Sequence, residues 1–457
     1  MPQSDLVAQL TSPAATTTFA VVGGLLVVTL LREIPRIPAR LLVLMLCAFL
    51  DMVGLLMIVP LLPFYVKRLG EGGVMVLGTT VGEATLVGLV AAAFTLAQLV
   101  SAPFWGRFSD RRGRRPALIA ALAASSVAYL VFGFAEALPV LLLSRLVQGA
   151  GGGTVGVIQA YVADTTEPAQ RARALGWLSA STNLGVALGP VLGSWAVARG
   201  HDLDHWRGEG ELYAHAAPGI LAALMCLLTM AVTFLFLAEP NEHRGGDSKE
   251  RVPIGKALGS VVLQPGQVTS RLILTYAIAI GSFSGVTTVL ALFLNHRFAI
   301  DEKTIGYFFL YIGAIAVFAR TLALGPLVDK LGEARLSRVG IVTLSLGILG
   351  LAFAESLPTL AVTVAMIPLG TAFTFPCVTA LLSRVVPGND RGLYMGMQQT
   401  FGGLARIAAP LLYGHSFDVY GIQTPFFLSA ALVFVTLPLG FGLHKFARPR
   451  APDAPAA

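Results

Sequence analysis

The chain has 457 residues, of which 55% are apolar and only 12% are Asp, Glu, Lys or Arg. Soluble domains carry about 25% charged residues, so this composition cannot coat a water-soluble fold of such length and instead marks an all-helical integral membrane protein. The formal net charge of +7 does not point to nucleic acid, because Lys and Arg sit in short clusters between apolar runs, the pattern of cytoplasmic loops facing anionic lipid headgroups.

A helix needs about 20 apolar residues to cross a bilayer. Taken in chain order, an N-terminal segment (1–39) opens with an apolar stretch at 16–31 that either crosses the membrane or lies on it. Six spans follow in a first bundle (40–238), at 41–66, 84–105, 116–135, 138–163, 172–198 and 216–238. A polar linker covers 239–268, and a second bundle (269–446) holds spans at 269–294, 304–328, 336–354, 357–383, 392–414 and 423–443. Residues 447–457 read as a disordered tail. With the first basic cluster (Arg32, Arg36, Arg40) inside, the inside loops hold 22 Lys and Arg against six outside, which predicts a cytoplasmic linker and C-terminus.

The halves repeat. Gly106-Arg-Phe-Ser-Asp110-Arg111-Arg-Gly113 follows the second span, and Gly325-Pro-Leu-Val-Asp329-Lys-Leu-Gly332 follows the eighth with the same Gly-x-x-x-Asp-x-x-Gly spacing, 219 positions later. Arg171 to Pro190 and Arg391 to Pro410 share a spacing of 19, offset by 220. Parallel six-helix repeats with a midplane solute site between them are a recurrent transporter design.

Within the loop motif, Gly106 is expected to let a helix end approach its neighbour, and Gly113 to permit a turn with positive φ. Asp110 is expected to cap the following helix and attract nearby arginines. Asp51 is the one carboxylate inside the apolar first span, and Arg145 the one ion inside the fourth; ionisable groups at membrane depth are costly and functional by default. A buried carboxylate beside a switching cation can load and release one proton. The alternatives are a structural hydrogen bond for Asp51 and direct binding of an anionic solute for Arg145, with Gln148 holding that arginine or touching solute. Gly185, Gly189, Pro190 and Gly193 in the fifth span favour a close helix crossing with a permitted bend. Arg320, Arg406, Tyr276, Phe283, Phe375 and Gln398 are candidates for a solute cavity in the second half.

The chain resembles the major facilitator superfamily from Arg40 to Lys445. Four segments carry the resemblance: Gly106-Arg-Phe-Ser-Asp-Arg-Arg-Gly-Arg-Arg, Arg145-Leu-Val-Gln-Gly-Ala-Gly, Gly185-Val-Ala-Leu-Gly-Pro-Val-Leu-Gly, and Leu50-Asp-Met-Val-Gly with Pro60-Leu-Leu-Pro63. The third resembles the fifth-helix motif of twelve-helix drug–proton antiporters, tetracycline exporters included, save that Ser194 stands where that pattern ends in Gly. The resemblance implies proton-coupled efflux of a small amphipathic compound by alternating access, with Asp51 and Arg145 coupling the proton, in a bacterial inner membrane, as a monomer. It also implies that Arg114 and Asp164 meet as part of a cytoplasmic gate. The repeat register then names Glu333 and Arg384 as their counterparts, with acid and base exchanged. A proton-coupled uptake symporter is the rival reading, and a non-transporting membrane receptor a further one. No phosphate-binding loop, His-Glu-x-x-His or Gly-x-Ser-x-Gly occurs, and Cys47, Cys226 and Cys377 lack metal-ligand spacing, so neither an enzyme, a metal nor a cofactor beyond the proton gradient is expected.

Overall fold

The computed structural model describes residues 37–70, 74–76, 79–152, 154–167, 170–208, 210–239, 259, 261–386 and 390–443. The 16–31 stretch, most of the 239–268 linker and the 447–457 tail lie outside these residues.

The described chain is almost entirely helical. Helix α1 (Ala39–Ile58) runs until Pro60, which has no N–H to give, and the chain tightens into a 3-10 turn (Val59–Leu61) before resuming as α2 (Leu62–Leu69). A short two-stranded sheet follows, β1 (Val74–Val76) with β2 (Thr79–Val81), where β-branched residues favour extended backbone. Next come α3 (Glu83–Arg112), α4 (Arg114–Gly133), α5 (Leu138–Gly151), α6 (Thr154–Thr165), α7 (Arg171–Arg207) and α8 (Leu212–Phe236). The second half supplies α9 (Val268–Phe298), α10 (Ile305–Phe318), a π turn (Ala319–Ala323), α11 (Leu324–Leu331), α12 (Glu333–Ala352), α13 (Leu357–Val385), α14 (Arg391–Tyr420) and α15 (Thr424–Val435).

Among the described residues, nine helical stretches are long and apolar enough to cross a membrane. The other three predicted spans fall on α7 and α14, which are more polar, and on α15, which is shorter. The lipid-facing surface keeps large apolar side chains exposed, among them Phe234, Leu235 and Phe236 at the end of α8.

The described residues fall into two units, each of which takes in one segment from the other half of the sequence. The first gathers those of Met1–Val76, Ala93–Gly246 and Ala291–Ala314. In it α1 packs on α7 and α8, and α4 on α5 and α8. Its core joins Leu44, Met45 and Ala48 of α1 to Ala117 and Leu118 of α4, Tyr161 of α6 and Leu178 of α7. Between apolar helices in lipid, close contact rather than water exclusion supplies the attraction, which requires small residues at the crossings.

The α1–α7 crossing has that form. A Cβ built on Gly185, Gly189 or Gly193 would lie 2.6, 2.9 or 2.3 Å from the backbone oxygens of Phe49, Val53 and Met57 respectively. Three glycines four residues apart therefore face three carbonyls four residues apart, and any side chain would push the helices apart. Helix α7 continues through Pro190.

The second unit gathers the described residues of Leu77–Ala92, Asp247–Leu290 and Ile315–Ala457. Helix α12 packs on α13 and α15. The first turns of α3 belong here because Gly88 meets the Pro410 carbonyl and Gly414 meets Ala84, at 2.3 and 2.2 Å from a built Cβ. Glycine at 88 and 414 is what allows α3 and α14 to touch backbone to backbone.

Candidate functional site

Five polar assemblies stand out, three within the first unit and two within the second. Asp51, twelve residues into α1 and so about 18 Å from its start, accepts a 2.8 Å hydrogen bond from the Thr154 hydroxyl. Thr154 begins α6, so the fourth span presents this hydroxyl to the carboxylate. Arg145 on α5 is buried at 2% exposure, its Nη1 donates to Gln148 Oε1, and its guanidinium lies 4.7 Å over the Phe94 ring. Arg145 Nε has no hydrogen-bond partner.

Asp51 and Arg145 form no ion pair in this state, so the two proton-coupling candidates share one bundle without touching. Tyr129 of α4 links their surroundings. It is buried, lies within electrostatic reach of both, and its hydroxyl is 3.5 Å from where a Cβ on Gly54 would sit, three residues after Asp51. Its role escaped sequence reasoning because a tyrosine in an apolar span usually reads as core.

The second assembly surrounds the loop motif at the basic face. Gly113 has φ 100° and hands the chain from α3 to α4 without a side-chain clash. Arg114 then donates from Nε to Asp164 at 2.8 Å, and from Nη1 to Asp110 at 2.6 Å and Ser109 at 2.7 Å. Two expectations fail here. Asp110 does not cap α4: Glu239 does, accepting the Arg114 and Arg115 backbone N–H groups at 2.6 and 2.9 Å, because Asp110 is already engaged by Arg114. Gly106 permits no close approach in this state either, since a Cβ there would meet nothing within 4 Å, and Gly325 is equally open. Arg111 is exposed.

The third assembly, in the second unit, repeats the second with altered chemistry. Gly332, φ 77°, leads into α12, whose first residue Glu333 is buried at 4% exposure. Arg384 near the end of α13 donates to both Glu333 oxygens, at 2.6 and 3.1 Å. Asp329 does not join this pair as Asp110 joins its own; it is exposed and makes no described hydrogen bond.

The fourth lies at the opposite, far end of the first unit. Buried Ser194 on α7 donates to the Glu302 carbonyl at 2.7 Å and accepts from the Gly306 N–H at 2.9 Å, while His201 meets Glu302 Oε1 at 3.2 Å. The second unit has its own clasp at its far end, where Asp418 accepts the Ala84 and Thr85 N–H groups at 3.1 and 2.8 Å and the Thr85 hydroxyl at 2.6 Å. Among the remaining candidates, Tyr276 packs edge-on against Phe375 at 5.6 Å. Gln398 has no exposed surface and accepts from Thr379 at 3.3 Å, whereas exposed Gln399 donates to the Tyr276 hydroxyl at 3.5 Å. Gln398 therefore packs between helices rather than lining an open cavity. Phe283 and Arg320 are partly buried, Arg320 within the π turn. All three cysteines are buried and reduced.

The family model described as Major Facilitator Superfamily matches residues 44–335 and 272–457. The chain is similar to Multidrug resistance protein 2 of Bacillus subtilis (strain 168), 28% identical over 422 residues that cover 89% of this chain and 95% of the relative. It is also similar to the class B tetracycline resistance protein of Escherichia coli, 28% identical over 377 residues, with 81% and 88% covered. The fold matches the crystal structure of a bacterial homologue of the human lysosomal transporter Spinster, inward-facing and occupied, with TM-score 0.71 at 15% identity over 90% of this chain and 98% of that one. The chain belongs to the Major Facilitator Superfamily and is a multi-pass membrane transporter, not an enzyme.

Proposed function

We propose that this transporter exports a small amphipathic compound in exchange for protons, across a bacterial inner membrane with its basic face and C-terminus in the cytoplasm. The observation that carries the reading is Asp51, a carboxylate at membrane depth on α1 whose described side-chain partner is a neutral hydroxyl. An ionised aspartate only accepts hydrogen bonds, while a protonated one also donates, so a proton arriving at Asp51 reverses the sense of its contact with Thr154. Thr154 opens α6, and α1 lies flush on α7 through the three glycines, so this change is delivered at the junction of three packed helices. Arg145, held by Gln148 and Phe94 within the same bundle, supplies the cation whose approach favours the ionised form.

Relatives named for multidrug and tetracycline resistance support efflux as the direction. Binding of proton or solute shifts the balance of the two facing states only by its differential affinity for them. Flux in proteoliposomes under an imposed pH gradient tests the reading: exchange of solute against protons supports it, whereas solute moving in the same direction as protons makes the chain an uptake symporter.

A further inference from the structure

Among the described residues of the second unit, Arg406 lies at membrane depth with no acid to match it. From Val268 to Leu443 no Asp or Glu falls in the middle of a helix, yet Arg406 stands at the centre of α14, fifteen residues from Arg391. Its side chain is half-buried, its Nε is fully buried without a hydrogen-bond partner, and no described residue pairs with its guanidinium. A guanidinium held in the membrane interior without a counter-ion is costly, and such groups mark ligand paths.

The surroundings of Arg406 say what kind of ligand. Pro410, one turn toward the far end, is sealed on Gly88 of α3. One turn the other way, Gly402 meets the Tyr276 ring at 2.9 Å from a built Cβ, and Tyr276 stands edge-on to Phe375 with Gln399 on its hydroxyl. Residues four apart share a helix face, so the free guanidinium and the aromatic pair are neighbours along α14. Gly402 is needed for this, because any side chain there would displace Tyr276. Lipid headgroups lie about 15 Å from the bilayer midplane, out of reach of a residue at mid-depth, so the matching anion comes from a solute.

We propose that Arg406 and the Tyr276–Phe375 pair form an anion subsite that selects solutes bearing an acid group on an aromatic body. This rests on the reading of the chain as a solute transporter, but concerns only which solutes bind. A guanidinium pairs a carboxylate through two parallel hydrogen bonds, and ring edges complement an aromatic body.

The test uses the full chain in nanodiscs and three probes with one aromatic body: 1-naphthaleneacetic acid, its amide, and (1-naphthylmethyl)trimethylammonium. Thermal stabilisation and isothermal titration calorimetry report binding. The acid binds wild type best, Arg406→Gln weakens the acid by about tenfold or more, and Arg406→Lys retains part of it. The amide binds wild type and Arg406→Gln alike, which shows that the variant is folded. Equal affinity of acid and amide for wild type, no binding of either, or undiminished acid binding in Arg406→Gln overturns the subsite. Arg406-dependent acid binding without pH-driven flux of the acid sustains the subsite while overturning proton-coupled export; pH-driven flux of the acid at an unchanged rate in Arg406→Gln does the reverse.

Discussion

Arg384 grips both carboxylate oxygens of Glu333, at 2.6 and 3.1 Å, in the same place of the repeat where Arg114 donates to Asp164 at 2.8 Å. The arginine sits at the start of α4 in one unit and at the end of α13 in the other, so two helices in each half are joined by one ion pair of opposite sense. Glu333 is the more deeply placed acid, its side chain 5% exposed against 29% for Asp164. Reversing either charge alone sets like charges against each other in a half-buried site.

Glu333→Arg and Arg384→Glu are therefore each expected to abolish most transport, and the double swap to restore a substantial part of it. Surface pairs are worth about 0–1 kcal/mol and buried ones lose about 3–5 kcal/mol when one partner is removed, and this pair lies between. A double swap no better than the single variants contradicts a pairwise role.

Glu239 ties the end of the first bundle to the start of α4 through two backbone N–H groups. Glu239→Ala removes this cap, at a cost of about 1 kcal/mol, and is expected to lower the midpoint of thermal unfolding in detergent. Glu239→Gln keeps an acceptor but loses the charge at the helix N-terminus, so it should fall between Ala and wild type.

Gly189→Leu places a branched side chain where a Cβ alone would lie 2.9 Å from the Val53 carbonyl. Overpacking of this kind typically costs about 1–3 kcal/mol. Transport is expected to fall sharply at near-normal expression; wild-type flux would mean that α1 and α7 separate without consequence.

Ser194→Gly restores the glycine of the exporter pattern and deletes two hydrogen bonds to the start of the eighth span. At about 1 kcal/mol each, their loss shifts a two-state balance roughly 10- to 30-fold toward opening of the far end. Because the native cysteines are all buried, Asn183→Cys gives a clean reporter on α7. Maleimide added from outside should label it faster in the Ser194→Gly background, and an unchanged rate would show that this clasp does not hold the far end shut.

Much of this arrangement was legible because it is periodic. The glycines of α7 recur every four residues, and that period alone places them on one helix face; the carbonyls they meet on α1 follow the same rise. The register of 219 to 220 residues brought Glu333 and Arg384 together without any similarity in their chemistry. Gly113 was readable because a helix-to-helix turn with no spare residue demands positive φ.

What escaped were contacts with no period. Glu239 lies 125 positions from Arg114 in a stretch that read as linker, and Asp418 lies 334 from Ala84. Neither pairing leaves a mark in local sequence. The choice between Gln398 and Gln399 depends on a rotation of about 100° around α14, finer than an uninterrupted apolar pattern can resolve. Gly106 and Gly325 stand open in this state, so their small size has no contact here to explain it.

If protonation of Asp51 drives transport, a side chain that cannot ionise there must uncouple solute movement from the pH gradient. Asp51→Asn fixes the site in a neutral form that still accepts a hydrogen bond from Thr154, so folding should be preserved. In proteoliposomes, the variant should lose uphill solute movement under a pH gradient while retaining downhill solute-for-solute exchange. Gradient-driven accumulation at the wild-type rate in Asp51→Asn would remove Asp51 from proton coupling.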